Sequence, residues 1–119
     1  MQIAQKRQMG GIRALKDARL PRDEELIIQC DNQADAMIGG EQLMRRVNCS
    51  DRIFARNDLT AAGVMYAIKH RRFKIPGDVA ISSFTNDLVS TLTDPTLITV
   101  EQHGDKVGEI ATDLLWRRI

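Results

Sequence analysis

Apolar and polar positions are arranged most informatively around residues 52–69. Ile53, Phe54 and Ala55 lead into the polar pair Asn57-Asp58, and a nearly continuous apolar run from Leu59 to Ile68 follows, broken only by Gly63. This order predicts strand, turn and helix, with the Asp58 carboxylate placed to cap the first helical turn. Leu59, Ala62, Gly63, Tyr66 and Ala67 share one helical face, while Ala61, Val64, Met65 and Ile68 leave the opposite side apolar too. A helix apolar all round is covered on both sides. One side is expected against a sheet, and the other against a further part of the chain or a second subunit. Residues between a parallel strand and its helix lie at the carboxyl edge of the sheet, where ligands bind, so Asn57 is the first candidate contact.

The same grammar extends in both directions. Residues 2–19 predict an opening helix in which Ile3, Gly10, Ala14 and Ala18 recur near the helical period. Arg7 falls on that stripe, and two readings of it stay open. Its guanidinium either snorkels to solvent or a carboxylate at the helix edge, or presents a fork of fixed donors to a ligand. Leu20-Pro21-Arg22-Asp23 stops the helix. A buried strand is predicted over 25–30, then Asp31-Asn32 as turn and cap, then a helix over 33–46 carrying Ala34, Met37, Ile38, Leu43, Met44 and Val47. Asn32 thus occupies the position equivalent to Asn57, one unit earlier. Further strands are predicted over 79–84, followed by Thr85-Asn86-Asp87, and over 97–100. A last helix bears the stripe Val107, Ile110, Ala111, Leu114 and Leu115. Alternation of helix and strand implies an α/β fold with a parallel sheet and right-handed crossovers. The sheet is expected to be partial, because an opening helix without a preceding strand is an odd start for a doubly wound sheet.

At 119 residues the chain is of one-domain size, and 43% hydrophobic with 28% charged residues is ordinary for a soluble globular protein. A net charge of +1 gives no global attraction to nucleic acid or an anionic membrane. No stretch has the length of a membrane span or the pattern of a signal peptide, so a cytoplasmic protein, or part of a larger one, is expected. The basic run 69–74 falls where the central helix should end, and cations are favourable there. Cys30 and Cys49 form no C-x-x-C pair, and His70 and His103 are isolated, so neither a metal nor a cofactor is expected. A nucleophile with a paired base, a G-x-S-x-G elbow and a phosphate-cradling glycine loop are all missing from the sequence, which argues against an enzyme.

The motifs Ile53-Phe-Ala-Arg-Asn-Asp58, Ile75-Pro-Gly-Asp-Val-Ala-Ile81, Asp94-Pro95 with Leu97-Ile-Thr-Val-Glu-Gln102, and Gly108-x-x-Ala111-x-x-Leu114-Leu115 resemble the effector-binding domain of LacI/GalR-type transcriptional regulators. The resemblance is dense from about residue 51 onward and continues upstream as Arg7-x-x-Gly10 with Ala14-Leu15. It implies a periplasmic binding protein-like type I fold. Residues 1–96 would form most of the C-terminal lobe, lacking its first strand, and residues 97–119 would cross back into the N-terminal lobe. The helix-turn-helix headpiece would lie outside this chain, so DNA would be bound only through that missing part. Arg7 then matches the arginine that grips effectors, and Asn57 the asparagine of the N-D turn. Asn32 stands where an aromatic residue often stacks on the ligand, and Thr85, with Asn86 beside it, where many members carry an acid. Gln102 matches a glutamine near the lobe crossover. The implied partner is a small-molecule effector, a sugar or sugar phosphate, in a homodimer that uses Met65 and Tyr66. A transport receptor of the same fold is the competing function.

Overall fold

The computed structural model describes residues 2–46 and 51–118. The expectations for Val47 and Cys49 fall outside these residues. Helix α1 (Ile3–Asp17) is followed by a short 3-10 turn (Glu24–Leu26), then α2 (Gln33–Met44), β1 (Arg52–Phe54), α3 (Asp58–His70), β2 (Ala80–Thr85), the single-turn α4 (Val89–Leu92), β3 (Ile98–Glu101) and α5 (Gly104–Trp116). The three strands form one sheet in the order β1-β2-β3, all parallel. Ile53 is opposite Ile81 and Thr85 opposite Glu101, so the carboxyl ends of the strands share one edge. The α/β class and parallel pairing agree with the alternating pattern of the sequence.

The strand expected over residues 25–30 is not formed. The Asp23 side chain accepts a hydrogen bond from the Glu25 N–H (2.9 Å) and winds residues 24–26 into the 3-10 turn. Ion pairs of Arg22 with Glu24 and of Arg46 with Glu25 hold that turn. The residues after it pack without pairing in a ladder: Ile28 and Cys30 lie on α2 at Gly39. Leu26 and Ile27 stay exposed, and Ile28 and Cys30 are half-buried against a helix rather than beside a neighbouring strand.

Helix α3 is the centre of the core. Ala61, Val64, Met65 and Ile68 are buried together with Ala55, Val79, Ile81 and Leu97 on the sheet side and with Ala36, Leu43 and Met44 of α2. The second apolar side of α3 is therefore covered by α2 of the same chain. The two helices approach closely because the contact positions are small. A Cβ on Gly40 would come within 2.8 Å of the Ala67 Cβ, and one on Gly63 within 2.9 Å of the Gln33 carbonyl oxygen. The basic run at the end of α3 is used locally, as the helix dipole favours. Arg71 pairs with Glu41 of α2 at 2.8 Å, and Lys69 donates to the Asp94 carbonyl.

Helices α1 and α5 contribute no buried residue. Val107, Ile110, Leu114, Leu115 and Trp116 are all exposed on α5, as are Ile98 and Val100 on the edge strand β3 that leads to it. Among the described residues, no helix is long and apolar enough to cross a membrane.

Candidate functional site

Two asparagines terminate the turns that open onto the sheet edge. Asn57 is the N-cap of α3, in extended backbone, and its Oδ1 accepts from the Thr60 N–H at 2.8 Å. Asn32 does the same for α2, accepting from the Asp35 N–H at 2.9 Å. Each side-chain oxygen is committed to its helix, which leaves the amide N–H groups as donors toward the edge.

Asp58 is therefore not the cap. It occupies the first helical position, is 0% exposed, and turns inward. Its carboxylate accepts from the Ser83 hydroxyl of β2, the Thr99 hydroxyl of β3 (2.7 Å) and the Asp87 N–H (2.6 Å). Its own N–H donates to the Thr85 hydroxyl at 3.4 Å. Burial alone would push this carboxyl up. The donors from Ser83, Thr99, Asp87 and Thr85 outweigh burial and hold it below the usual carboxylate range. One ionised side chain thus ties the β1–α3 turn to β2, to the loop after β2 and to β3.

That loop is strained. Thr85 has φ 134° and Asn86 φ 53°, and a β-branched residue in this region is an outlier. The conformation is fixed by the Thr85 contact to Asp58 and by the Asn86 N–H donating to the Thr99 hydroxyl at 3.0 Å. The Asn86 side chain donates to the Glu101 carboxylate. Thr85 is half-buried beside the turn that carries Asn57, whereas Asn86 is exposed and directed to β3. Gln102 lies on the exposed loop between β3 and α5.

Arg7 reaches this edge from α1. Its Nη1 donates to the Arg56 carbonyl at 2.8 Å, and the guanidinium lies over the Phe84 ring, 4.7 Å from the ring centroid. Cation–π stacking and the carbonyl bond orient the fork and leave several N–H donors free. Arg7, Asn57 and Thr85 are thereby grouped around the ends of β1 and β2. Arg56 extends the group to the α2 turn through its Nη2, 3.4 Å from the Asp31 carbonyl, next to Asn32. A separate open concavity of about 940 Å³ lies along α1 between Gln5, Met9, Arg13 and Arg22 and contains none of these residues.

The pairing of Met65 with Tyr66 as one surface requires correction. Met65 is 4% exposed and belongs to the core cluster, while Tyr66 is 58% exposed and stacks on His70 with ring centroids 6.0 Å apart. Successive helical residues point about 100° apart, so burying one against the core turns the other outward. The outward strip of α3 is Leu59 and Tyr66.

Four participants were missed by sequence reasoning: Phe84 as the platform for Arg7, Arg56 as the link to the α2 turn, and Ser83 and Thr99 as donors to Asp58. A signal for the last existed in Ser83, which alternates with Ile81 on the buried face of the strand, where a hydroxyl is tolerated only with a partner.

The sequence model of the periplasmic binding protein-like domain matches residues 4–119. The chain is 31% identical over 108 residues to the HTH-type transcriptional repressor PurR of Vibrio atlanticus (strain LGP32), covering 90% of this chain and 32% of that protein. Among solved structures it is similar to a protein from Bacillus cereus subsp. cytotoxis NVH 391-98 described as a transcriptional regulator LacI, at 31% identity and a TM-score of 0.83, covering 90% of this chain and 38% of that one. It is also similar to the LacI family transcriptional regulator from Arthrobacter sp. FB24 in complex with lactose, at 29% identity and a TM-score of 0.68, covering 71% of this chain and 32% of that one. The chain spans about a third of the length of these relatives.

Proposed function

The chain belongs to the periplasmic binding protein-like domain family found in LacI-type regulators, and on that premise we propose that it is the effector-sensing part of a transcriptional regulator. The ligand is a small carbohydrate, bound between two lobes, and its binding modulates DNA binding by a headpiece carried elsewhere in the full-length protein.

The observation that carries this reading is the grouping of Arg7, Asn57 and Thr85 at the carboxyl edge of the sheet. A guanidinium fork, an amide donor and a hydroxyl are the polar groups that hold a polyhydroxylated ligand, and a site between domains supplies the enclosure it needs. Asn32 and Asn86 flank the group, and Gln102 is assigned to its rim. The lactose complex of the Arthrobacter relative supports a sugar as the ligand class.

Residues 97–119 are assigned to the second lobe. The exposed stripe Val107, Ile110, Leu114 and Leu115 supports this, since a helix with one fully apolar, uncovered face is built to pack against something. A homodimer in the full-length protein would use Tyr66 with Leu59. The relatives are regulators, and no catalytic step is proposed.

The test is operator binding by the full-length protein in the presence of a panel of mono- and disaccharides. A sugar that changes operator affinity at least ten-fold in wild type, and not in Arg7→Ala, supports the proposal. A panel with no effect on operator affinity, or an equal effect in Arg7→Ala, contradicts it.

A further inference from the structure

Two guanidiniums meet at the edge of the sheet without a counter-charge. Arg22, Arg45, Arg46, Arg71 and Arg117 each pair with a carboxylate; of the other described arginines, Arg13, Arg19, Arg52, Arg72 and Arg118 are exposed, and only Arg7 and Arg56 are half-buried without such a partner. Arg7 is fixed by Phe84 and by the carbonyl of Arg56 itself. Arg56 is half-buried. Its Nε is shielded from solvent and has no hydrogen-bond partner, and its Nη2 is 3.4 Å from the Asp31 carbonyl, the long limit of a useful bond.

Of the acids nearby, Asp31, Asp35 and Asp58, none forms an ion pair with Arg7 or Arg56 among the described residues. Asp35 accepts from the Asp31 N–H at 3.1 Å, and the Asp58 carboxylate is filled by its three donors. Removing a cation from water without giving it an anion or a full set of acceptors is unfavourable, so a half-satisfied guanidinium at a ligand site marks where an anion belongs.

We propose that Arg56 and Arg7 together hold an anionic group on the ligand, a phosphate or a carboxylate, so that the effector is an acidic sugar rather than a neutral one. This rests on the carbohydrate reading above and narrows it. Arg7 supplies the fixed fork. Arg56 supplies the second, more weakly tied one, releasing its long bond to Asp31 to meet the anion. Lysine at position 56 would keep the charge but lose the paired donors.

The experiment is calorimetric titration of the full-length protein, as wild type, Arg56→Met and Arg56→Lys, with glucose, galactose, their 6-phosphates, glucuronate and galacturonate. Methionine keeps the aliphatic stem that packs in the turn, and lysine separates loss of charge from loss of geometry. An acidic sugar is expected to bind wild type about ten- to a hundred-fold more tightly than its neutral parent. That preference should vanish in Arg56→Met and return in part in Arg56→Lys. The 6-phosphates and the uronates tell which anion is read. A preference kept in Arg56→Met, or a neutral sugar that binds as tightly as its acidic forms, overturns the inference while leaving sugar sensing intact. Failure of every sugar, neutral and acidic, overturns both.

Discussion

Replacing Asp58 by alanine separates a helix cap from the hub of a buried network, and the two roles differ in magnitude. Loss of a cap alone costs about 1 kcal/mol. In this structure the substitution removes the acceptor for the Ser83 hydroxyl, the Thr99 hydroxyl and the Asp87 N–H. Bonds to an ionised group contribute roughly 1.5–3 kcal/mol each, and they are not additive within one network. Ser83 is 1% exposed and cannot recruit water, whereas Thr99 is half-buried and Asp87 exposed. One donor is therefore orphaned and two are partly rescued. We expect Asp58→Ala to lower stability by about 3–5 kcal/mol. Urea denaturation of the full-length protein, with the sheet followed by amide hydrogen exchange, measures it. Exchange should rise together in the first turn of α3, in residues 83–87 and in residues 98–101, because the network ties α3 to the paired strands β2 and β3. A loss near 1 kcal/mol, with exchange changed only in the first turn of α3, would refute the hub and restore the cap.

The same carboxylate gives a pH dependence. Its folded pKa lies below the unfolded value near 3.9, so its contribution is fully present above about pH 4 and is lost as pH falls through the folded pKa. Asp58→Asn should flatten the acid limb of a stability–pH profile, and an unchanged limb would count against the network. Asn57→Ala removes the N-cap of α3 and should cost about 1 kcal/mol by denaturant melting, with weaker sugar binding in the same variant. Gly63→Ala gains about 0.5–1 kcal/mol of helix propensity, yet its Cβ would lie 2.9 Å from the Gln33 carbonyl oxygen and 3.0 Å from the Ala36 Cβ. Overpacking of about 1–3 kcal/mol should win, giving a net loss in a thermal melt. Arg7→Ala should weaken effector binding about ten- to a hundred-fold by calorimetry, the effect of removing charge-assisted hydrogen bonds, with operator affinity retained.

The parts of the fold legible in the sequence were those that repeat a local rule. The alternation of strand and helix, the apolar all-round α3 and the apolar stripe on α5 follow from periodicity. What periodicity cannot tell is which neighbour covers an apolar face. Residues 25–30 read as a strand because burial and ladder pairing leave the same imprint, although Ile28 and Cys30 rest on a helix. Met65 and Tyr66 are adjacent in sequence and were assigned one role, but their directions differ and only Tyr66 is outside. In the Asn57-Asp58 pair either residue has the chemistry of a cap. The choice was made by Ser83 and Thr99, 25 and 41 residues away, which draw the carboxylate inward.

Whether the carboxyl edge is the sensing site is tested most directly by a crystal structure of the full-length protein with whichever sugar shifts its operator affinity. The ligand is expected within hydrogen-bonding distance of the Arg7 guanidinium, the Asn57 amide and the Thr85 hydroxyl, with the α5 stripe buried in the facing lobe. A sugar seated elsewhere, with Arg7 still bonded only to the Arg56 carbonyl, would contradict it.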